Sequence, residues 1–361
     1  MSLRSFVLVA SAAVLAACTL TRSLDYLQAG DGGAGTGASS STSTSTSSTS
    51  SSGDLDPDAQ AAGEVIAPQQ SDPSMLRQDG DSVYWVTLDN KLRRVAKSGG
   101  AVQELGAYAD VIDVAVDPAG GNNVYVLTPT AVRTLPKAGG DAVDLVTLPA
   151  THEPLGVVVD ATYLFVLLAD TTDYRTQLLR YSKANVGAPA NLATANESDP
   201  YAIALAGGKV FWNALNQAGS YVVHELAVDA PPGTAPTAYK GTGEGISVFQ
   251  QGDLVADERA LYWLDDLKEA PFVLIREPLG APEKLLNSAE ISILTVNSKF
   301  IYMAKGDVRA DRIIVRPKEG GDLEELASQP GPASLVADDA ALYVAFAGVG
   351  SGGIQKIPLT K

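Results

Sequence analysis

Three features of the sequence predict an all-β fold, a seven-bladed β-propeller. An apolar–aromatic–apolar triplet recurs seven times, it returns roughly every 40 residues, and each copy sits among short alternating strand signals. The copies are Val83-Tyr84-Trp85, Val124-Tyr125-Val126, Leu164-Phe165-Val166, Val210-Phe211-Trp212, Leu261-Tyr262-Trp263, Ile301-Tyr302-Met303 and Leu342-Tyr343-Val344. Successive aromatics stand 41, 40, 46, 51, 40 and 41 residues apart, which accommodates four short strands per period.

Within each period the elements follow in a fixed order. An alternating strand ending near Asp or Gly comes first, as in Val114-Ala115-Val116-Asp117, Val157-Val158-Val159-Asp160 and Ser334-Leu335-Val336-Ala337-Asp338. The aromatic strand is second. The third closes on a Lys/Gly turn at Pro136-Lys137-Ala138-Gly139-Gly140 and Pro317-Lys318-Glu319-Gly320-Gly321, with a looser copy at Lys97-Ser98-Gly99-Gly100. A short fourth strand ends the unit, as in Glu104-Leu105, Asp144-Leu145-Val146 and Glu325-Leu326. The last unit stops at Ile357-Pro358-Leu359 without a fourth strand, while Glu64-Val65-Ile66-Ala67 stands alone ahead of the first unit. Pairing the two leaves no open edge, so the ring is expected to close through both termini.

Composition agrees with a large core: 45% of the 361 residues are hydrophobic and only 19% charged. The net charge of −16 repels phosphate backbones, which argues against nucleic acid as a partner. The sole cysteine, Cys18, rules out an intramolecular disulfide, so packing alone must hold the fold.

Ahead of the repeats, Arg4 and the apolar stretch Phe6 to Leu15 read as a signal peptide, too short to span a bilayer. Leu15-Ala16-Ala17-Cys18 follows and resembles the lipobox of bacterial lipoproteins. That resemblance implies cleavage before Cys18, lipidation of its thiol, acyl chains such as palmitate, and, with Thr19 next in line, sorting to the outer membrane or cell surface. The chain therefore divides into a signal peptide (1–17), a lipidated Cys with a disordered linker (18–63) and a propeller (64–361). The linker contains an unbroken Ser/Thr run from Ser39 to Ser52 with no apolar surface to bury. As a flexible coil it spans about 35–40 Å.

Tyr262-Trp263-Leu264-Asp265 and Tyr84-Trp85-Val86-Thr87 resemble the YWTD repeats of low-density-lipoprotein-receptor-type propellers and their bacterial relatives. The likeness is a packing signature that implies a fold and identifies no ligand. This chain departs from it in two ways: the family resembles six-bladed rings whereas seven anchors occur here, and one repeat alone keeps the closing Asp.

No catalytic or metal motif emerges. Trp85, Trp212 and Trp263 occupy equivalent repeat positions and read as packing between blades. His152, placed in a loop, and His224, inside a third strand, share no spacing with a nucleophile or a ligand set. The acid pairs Asp79/Asp81, Asp265/Asp266 and Asp338/Asp339 lack the alternation of a calcium loop and read as turn formers. Gly241-Thr242-Gly243-Glu244-Gly245 lacks the Lys-Ser/Thr of a phosphate loop. No cofactor is implied.

Loop length is the one asymmetry with functional content. In an up-and-down blade the second-to-third and the blade-to-blade connections emerge on one face, and the longest second-to-third connections are Asp170 to Thr176, Asn213 to Ser220, Asp265 to Ala270 and Lys305 to Arg312. Candidate binding residues there are Asp173, Arg175, Asn216, Asp266, Lys268, Asp307 and Arg309. The expected function is a membrane-anchored, non-catalytic binding or scaffold lipoprotein of the cell envelope, monomeric, with a protein or carbohydrate ligand. Two alternatives stay open: a propeller hydrolase or lyase acting at the channel mouth, and an envelope-assembly component.

Overall fold

In the computed structural model every described element is a strand, and each four-stranded sheet is antiparallel. The structure describes residues 63–193, 197–215, 221–240, 254–265, 270–275, 283–284, 291–305, 312–328, 331–348 and 352–359. Cys18, the Ser39 to Ser52 run and the Gly241 to Gly245 stretch lie outside them.

Among the described residues there are seven sheets, one per sequence repeat. Blade 1 is Ser74–Gln78, Ser82–Val86, Lys91–Ala96 and Gln103–Ala107, and blade 2 is Asp113–Val116, Asn123–Leu127, Ala131–Pro136 and Val143–Thr147. Blade 3 is His152–Val159, Tyr163–Asp170, Thr176–Ser182 and Asn185–Asn191, and blade 4 is Ile203–Ala206, Lys209–Leu215, Tyr221–Ala227 and Thr237–Lys240. Blade 5 comprises Leu254–Ala256, Ala260–Asp265, Ala270–Ile275 and Glu283–Lys284; blade 6 comprises Ile291–Val296, Phe300–Lys305, Arg312–Pro317 and Glu324–Ser328. Blade 7 takes Pro332–Ala337, Ala341–Phe346 and Gly353–Pro358 from the C-terminal end and Glu64–Ala67 from the N-terminal side. First strands of successive blades adjoin all the way round, so they form the inner edge of a closed ring.

The closing strand carries the mark of a true fourth strand. Fourth strands of blades 1, 2 and 6 bulge against the third, skipping Leu105, Leu145 and Leu326 in the register. Glu64–Ala67 bulges in the same way, skipping Ile66. An extra residue on the outer strand bends it, and in each case that residue is apolar.

The core is divided among the blade junctions, with one hydrophobic cluster at each of the seven. Each aromatic triplet supplies two adjacent clusters, because alternation sends neighbouring side chains to opposite faces of the blade. Thus Trp85 packs toward blade 7 and Tyr84 toward blade 2, while Trp212 packs toward blade 3 and Phe211 toward blade 5. All three tryptophans are fully buried.

Among the described residues, ionic clasps reinforce four junctions. The Lys after a third strand reaches the Asp after the first strand of the preceding blade: Lys97 to Asp338 at 2.7 Å, Lys137 to Asp79 at 2.9 Å, Lys183 to Asp117 at 2.6 Å and Lys318 to Asp257 at 2.5 Å. Asp79, Asp257 and Asp338 also accept main-chain N–H bonds from their own turns. The Tyr84 and Tyr262 hydroxyls donate to Asp79 and Asp257, and the ammonium groups of Lys97 and Lys318 lie 5.5 Å from the ring centres of Tyr343 and Tyr262. Burial, helped by the neighbouring carboxylate, pushes the Tyr84 and Tyr343 phenols up to about 12.

At the junction of blades 6 and 7 both members of the clasp are replaced. Leu359 takes the position of the Lys at the junction of blades 6 and 7, donating the same main-chain bond to the first turn of its blade. Opposite it stands Asn297, whose amide donates to Tyr302 and to the Asp338 carbonyl. A half-buried carboxylate without its cation would be costly, and the neutral pair avoids that cost.

Candidate functional site

The two faces of the ring are built differently. First-to-second and third-to-fourth turns form one face, here the turn face, and it bears the clasps. The second-to-third and blade-to-blade connections form the other, the loop face. On the turn face, left-handed backbone is supplied by glycine, at Gly99 and Gly100 or Gly139 and Gly140 for example. On the loop face the residues with positive φ are Gln69, Asp72, Asn90, Asp110, Tyr174 and Asp199, together with Gly331. Six of the seven described non-glycine cases thus lie in loop-face connections, and Met75 lies at the bulge within the first strand of blade 1. A side chain in that conformation costs about 1 kcal/mol or more, least for Asn and Asp, and such strain persists where the surroundings enforce it.

Two of the expected binding residues, Asp173 and Arg175, lie on this face in the connection Asp170 to Thr176. They pair with each other at 2.8 Å, both well exposed. Asp170 organises the turn by accepting the main-chain N–H groups of Thr172 and Asp173, and these bonds lower its pKa. Between the pair stands Tyr174 at φ 57°, 41% exposed. Asn216, Asp266, Lys268, Asp307 and Arg309 lie outside the described residues.

Two sequence expectations need correction. The connection expected from Asn213 to Ser220 begins later, because the strand continues through Leu215, paired to Tyr221 and bridged to Ser198. Asn213 is buried, and its side-chain oxygen accepts the N–H groups of Tyr201 and Ala202. His152 begins the first strand of blade 3 instead of lying in a loop, paired to Asp170, with its Nε2 3.8 Å from that carboxylate.

Main-chain bridges tie the loop face together between blades 3 and 4. Arg175, Ser198 and Leu215 form successive antiparallel bridges. Asp199 N–H donates to the Tyr174 carbonyl at 2.8 Å, and Thr176 N–H to the Glu197 carbonyl at 3.0 Å. Beneath this stitching, Glu197 is 2% exposed and accepts the Trp212 indole N–H at 2.7 Å. His224, directly across from Trp212 on the third strand, stacks on the indole with ring centres 5.1 Å apart, and its Nε2 lies 3.8 Å from the Glu197 carboxylate. Burial lowers the His224 pKa, the Glu197 charge opposing it more weakly; burial raises that of Asp199.

Sequence reasoning passed over Glu197, Tyr174 and Asp199. One signal was available. Gln70 lies fifteen residues before Trp85 and Glu197 fifteen before Trp212, and both are buried polar residues in a blade-to-blade connection.

No protein-family model and no curated protein matches the chain. Solved structures share its architecture. Streptogramin B lyase is 13% identical over 81% of this chain and 95% of its own, with a TM-score of 0.59. A catalytically inactive virginiamycin B lyase from Staphylococcus aureus, solved with quinupristin, is 12% identical over 82% and 98%, also at 0.59. The computationally designed Ika8 protein is 12% identical over 80% and 97%, at 0.55. Identities this low establish the β-propeller fold and leave function to the site.

Proposed function

We propose that this protein is a non-catalytic binding or scaffold lipoprotein of the bacterial envelope, held to the membrane by lipid on Cys18 and presenting its loop face to a protein or carbohydrate ligand. The asymmetry of the two faces carries this reading: one is fastened by ionic clasps and glycine turns, and the other displays strained polar turns with an exposed aromatic at Tyr174. Rigid rings that concentrate strain and exposed side chains on one set of loops are built to bind there. The Leu15-Ala16-Ala17-Cys18 sequence supports the anchor, and among the described residues no helix is long and apolar enough to cross a membrane.

Two measurements test the reading. Cys18→Ser is expected to abolish lipid labelling and release the protein from the membrane; labelling that persists in this variant contradicts the anchor. Affinity capture from solubilised envelopes is expected to retain the same ligand with the natural ring and to lose it with Asp173→Ala, Tyr174→Ala and Arg175→Ala combined. Equal retention by both forms removes the loop face from the proposal.

A further inference from the structure

We propose that Glu197 and His224 form an acid-sensitive latch that holds the loop-face connections of blades 3 and 4 together. The argument comes from comparing blade 4 with blade 1. Each has a fully buried Trp on its second strand, Trp85 or Trp212, with a basic residue directly opposite on the third strand, Arg93 or His224. Each also has a buried polar residue fifteen positions before the Trp, Gln70 or Glu197. In blade 1 the cation is permanent: Arg93 Nη1 donates to the neutral Gln70 Oε1 at 2.8 Å, and its Nη2 lies 3.8 Å from the Glu104 carboxylate and 3.9 Å from that of Asp89. Blade 4 has a titratable base with an acid, so the same architecture becomes conditional on pH.

Glu197 is the carboxylate that lies against His224. The second strand presents Trp212, the fourth strand Ala238, and blade 3 packs Phe165, Leu167 and Leu178 into the same cluster as Trp212, while its Arg180 is taken up by the Val228 and Ala230 carbonyls. Glu225, next in sequence, points to the opposite face of the blade and pairs with Lys209 and Tyr239. Neither imidazole nitrogen has a protein hydrogen-bond partner. An imidazolium buried there would gain the Glu197 charge at 3.8 Å but lose its hydration, and the loss dominates.

The closed junction therefore binds the proton less tightly than an opened one. Closure is fully favoured above the ordinary histidine pKa of about 6.5 and weakens as the pH falls below it toward the depressed value. Opening would free residues 197–199, and with them the bonds from Thr176 to Glu197 and from Asp199 to Tyr174 that pin the exposed Tyr174 turn. As a control on ligand binding the latch rests on the loop-face reading above. As a structural device it is testable without ligand, so its failure leaves that reading standing.

The test is amide hydrogen exchange in the unliganded protein at pH 7 and pH 5.5, corrected for intrinsic rates. Protection at residues 197–202 and 174–176 is expected to fall by up to about tenfold per pH unit inside the window, while residues 70–74 of blade 1 stay unchanged. Glu197→Gln with His224→Arg copies the Gln70 and Arg93 pair and is expected to abolish the pH response; His224→Gln alone serves if that pair disturbs folding. In a His152→Gln background, imidazole NMR should place the His224 midpoint below 6.5, and Glu197→Gln should lower it further. A pH response surviving in the substituted proteins, or an ordinary His224 midpoint, overturns the latch.

Discussion

The Lys97 ammonium lies 2.7 Å from the Asp338 carboxylate, 241 residues away in sequence, and joins the first blade to the last. Both side chains are largely shielded, at 13% and 29% exposure, so neither is cheaply left alone. Lys97→Met is expected to lower stability by about 1–3 kcal/mol in denaturant unfolding. Lys97→Leu combined with Asp338→Asn, which copies Leu359 opposite Asn297, should recover part of that loss. A double variant no more stable than Lys97→Leu alone would show that the clasp does not act as a pair.

Acid should release the clasps. Burial acts to raise the pKa of Asp79, Asp257 and Asp338, but bonds from their lysines and turn N–H groups outweigh it and leave all three below the ordinary 3.8. A carboxylate with a depressed folded-state pKa stabilises the fold above its unfolded value and loses that contribution as pH falls through the folded one. Melting temperature should therefore drop steeply below about pH 4, and less steeply in Asp338→Asn with Lys97→Leu. Identical acid limbs for the two proteins would contradict the assignment.

Ring closure depends on the Glu64–Ala67 strand. Its pairing with Gly353–Pro358 buries Ile66 and Ala67 against Leu76, Trp85 and Tyr343. Ile66→Ala is expected to lower stability by about 2–4 kcal/mol, close to the effect of Leu105→Ala at the matching bulge in blade 1. Deleting residues 64–67 should reduce stability more than either, and deleting residues 39–52 should change it little. Equal melting temperatures for the two deletions would refute the closure.

Tyr174 offers a test of strain retained for binding. Its backbone sits at φ 57°, which glycine adopts without penalty. Tyr174→Gly should leave stability unchanged or raise it by up to about 1 kcal/mol, while weakening ligand capture. A marked loss of stability would mean that the ring, not the ligand, requires the tyrosine.

The parts of the fold legible in sequence are those that repeat. The aromatic triplets, the Lys/Gly turns and the isolated Glu64–Ala67 segment are local patterns of alternation and turn chemistry, and each maps onto one strand or turn. The site was legible only where loop length pointed to a face. Loop length placed Asp173 and Arg175 on that face, whereas His152 was misplaced because pairing with Asp170 extends its strand past the apolar run.

By itself, the sequence determined the blade period, the number of repeats and the strand that closes them, because these depend on residues adjacent along the chain. Only the tertiary structure decided which charges meet. Lys97 has no local feature selecting Asp338, nor does the Tyr174 turn select Asp199. Those partners are chosen when neighbouring blades pack and bring side chains into a shared, poorly solvated junction. The same packing makes His224 a conditional cation, since burial beside Glu197 arises from the blade 3–4 contact and from no property of its own strand.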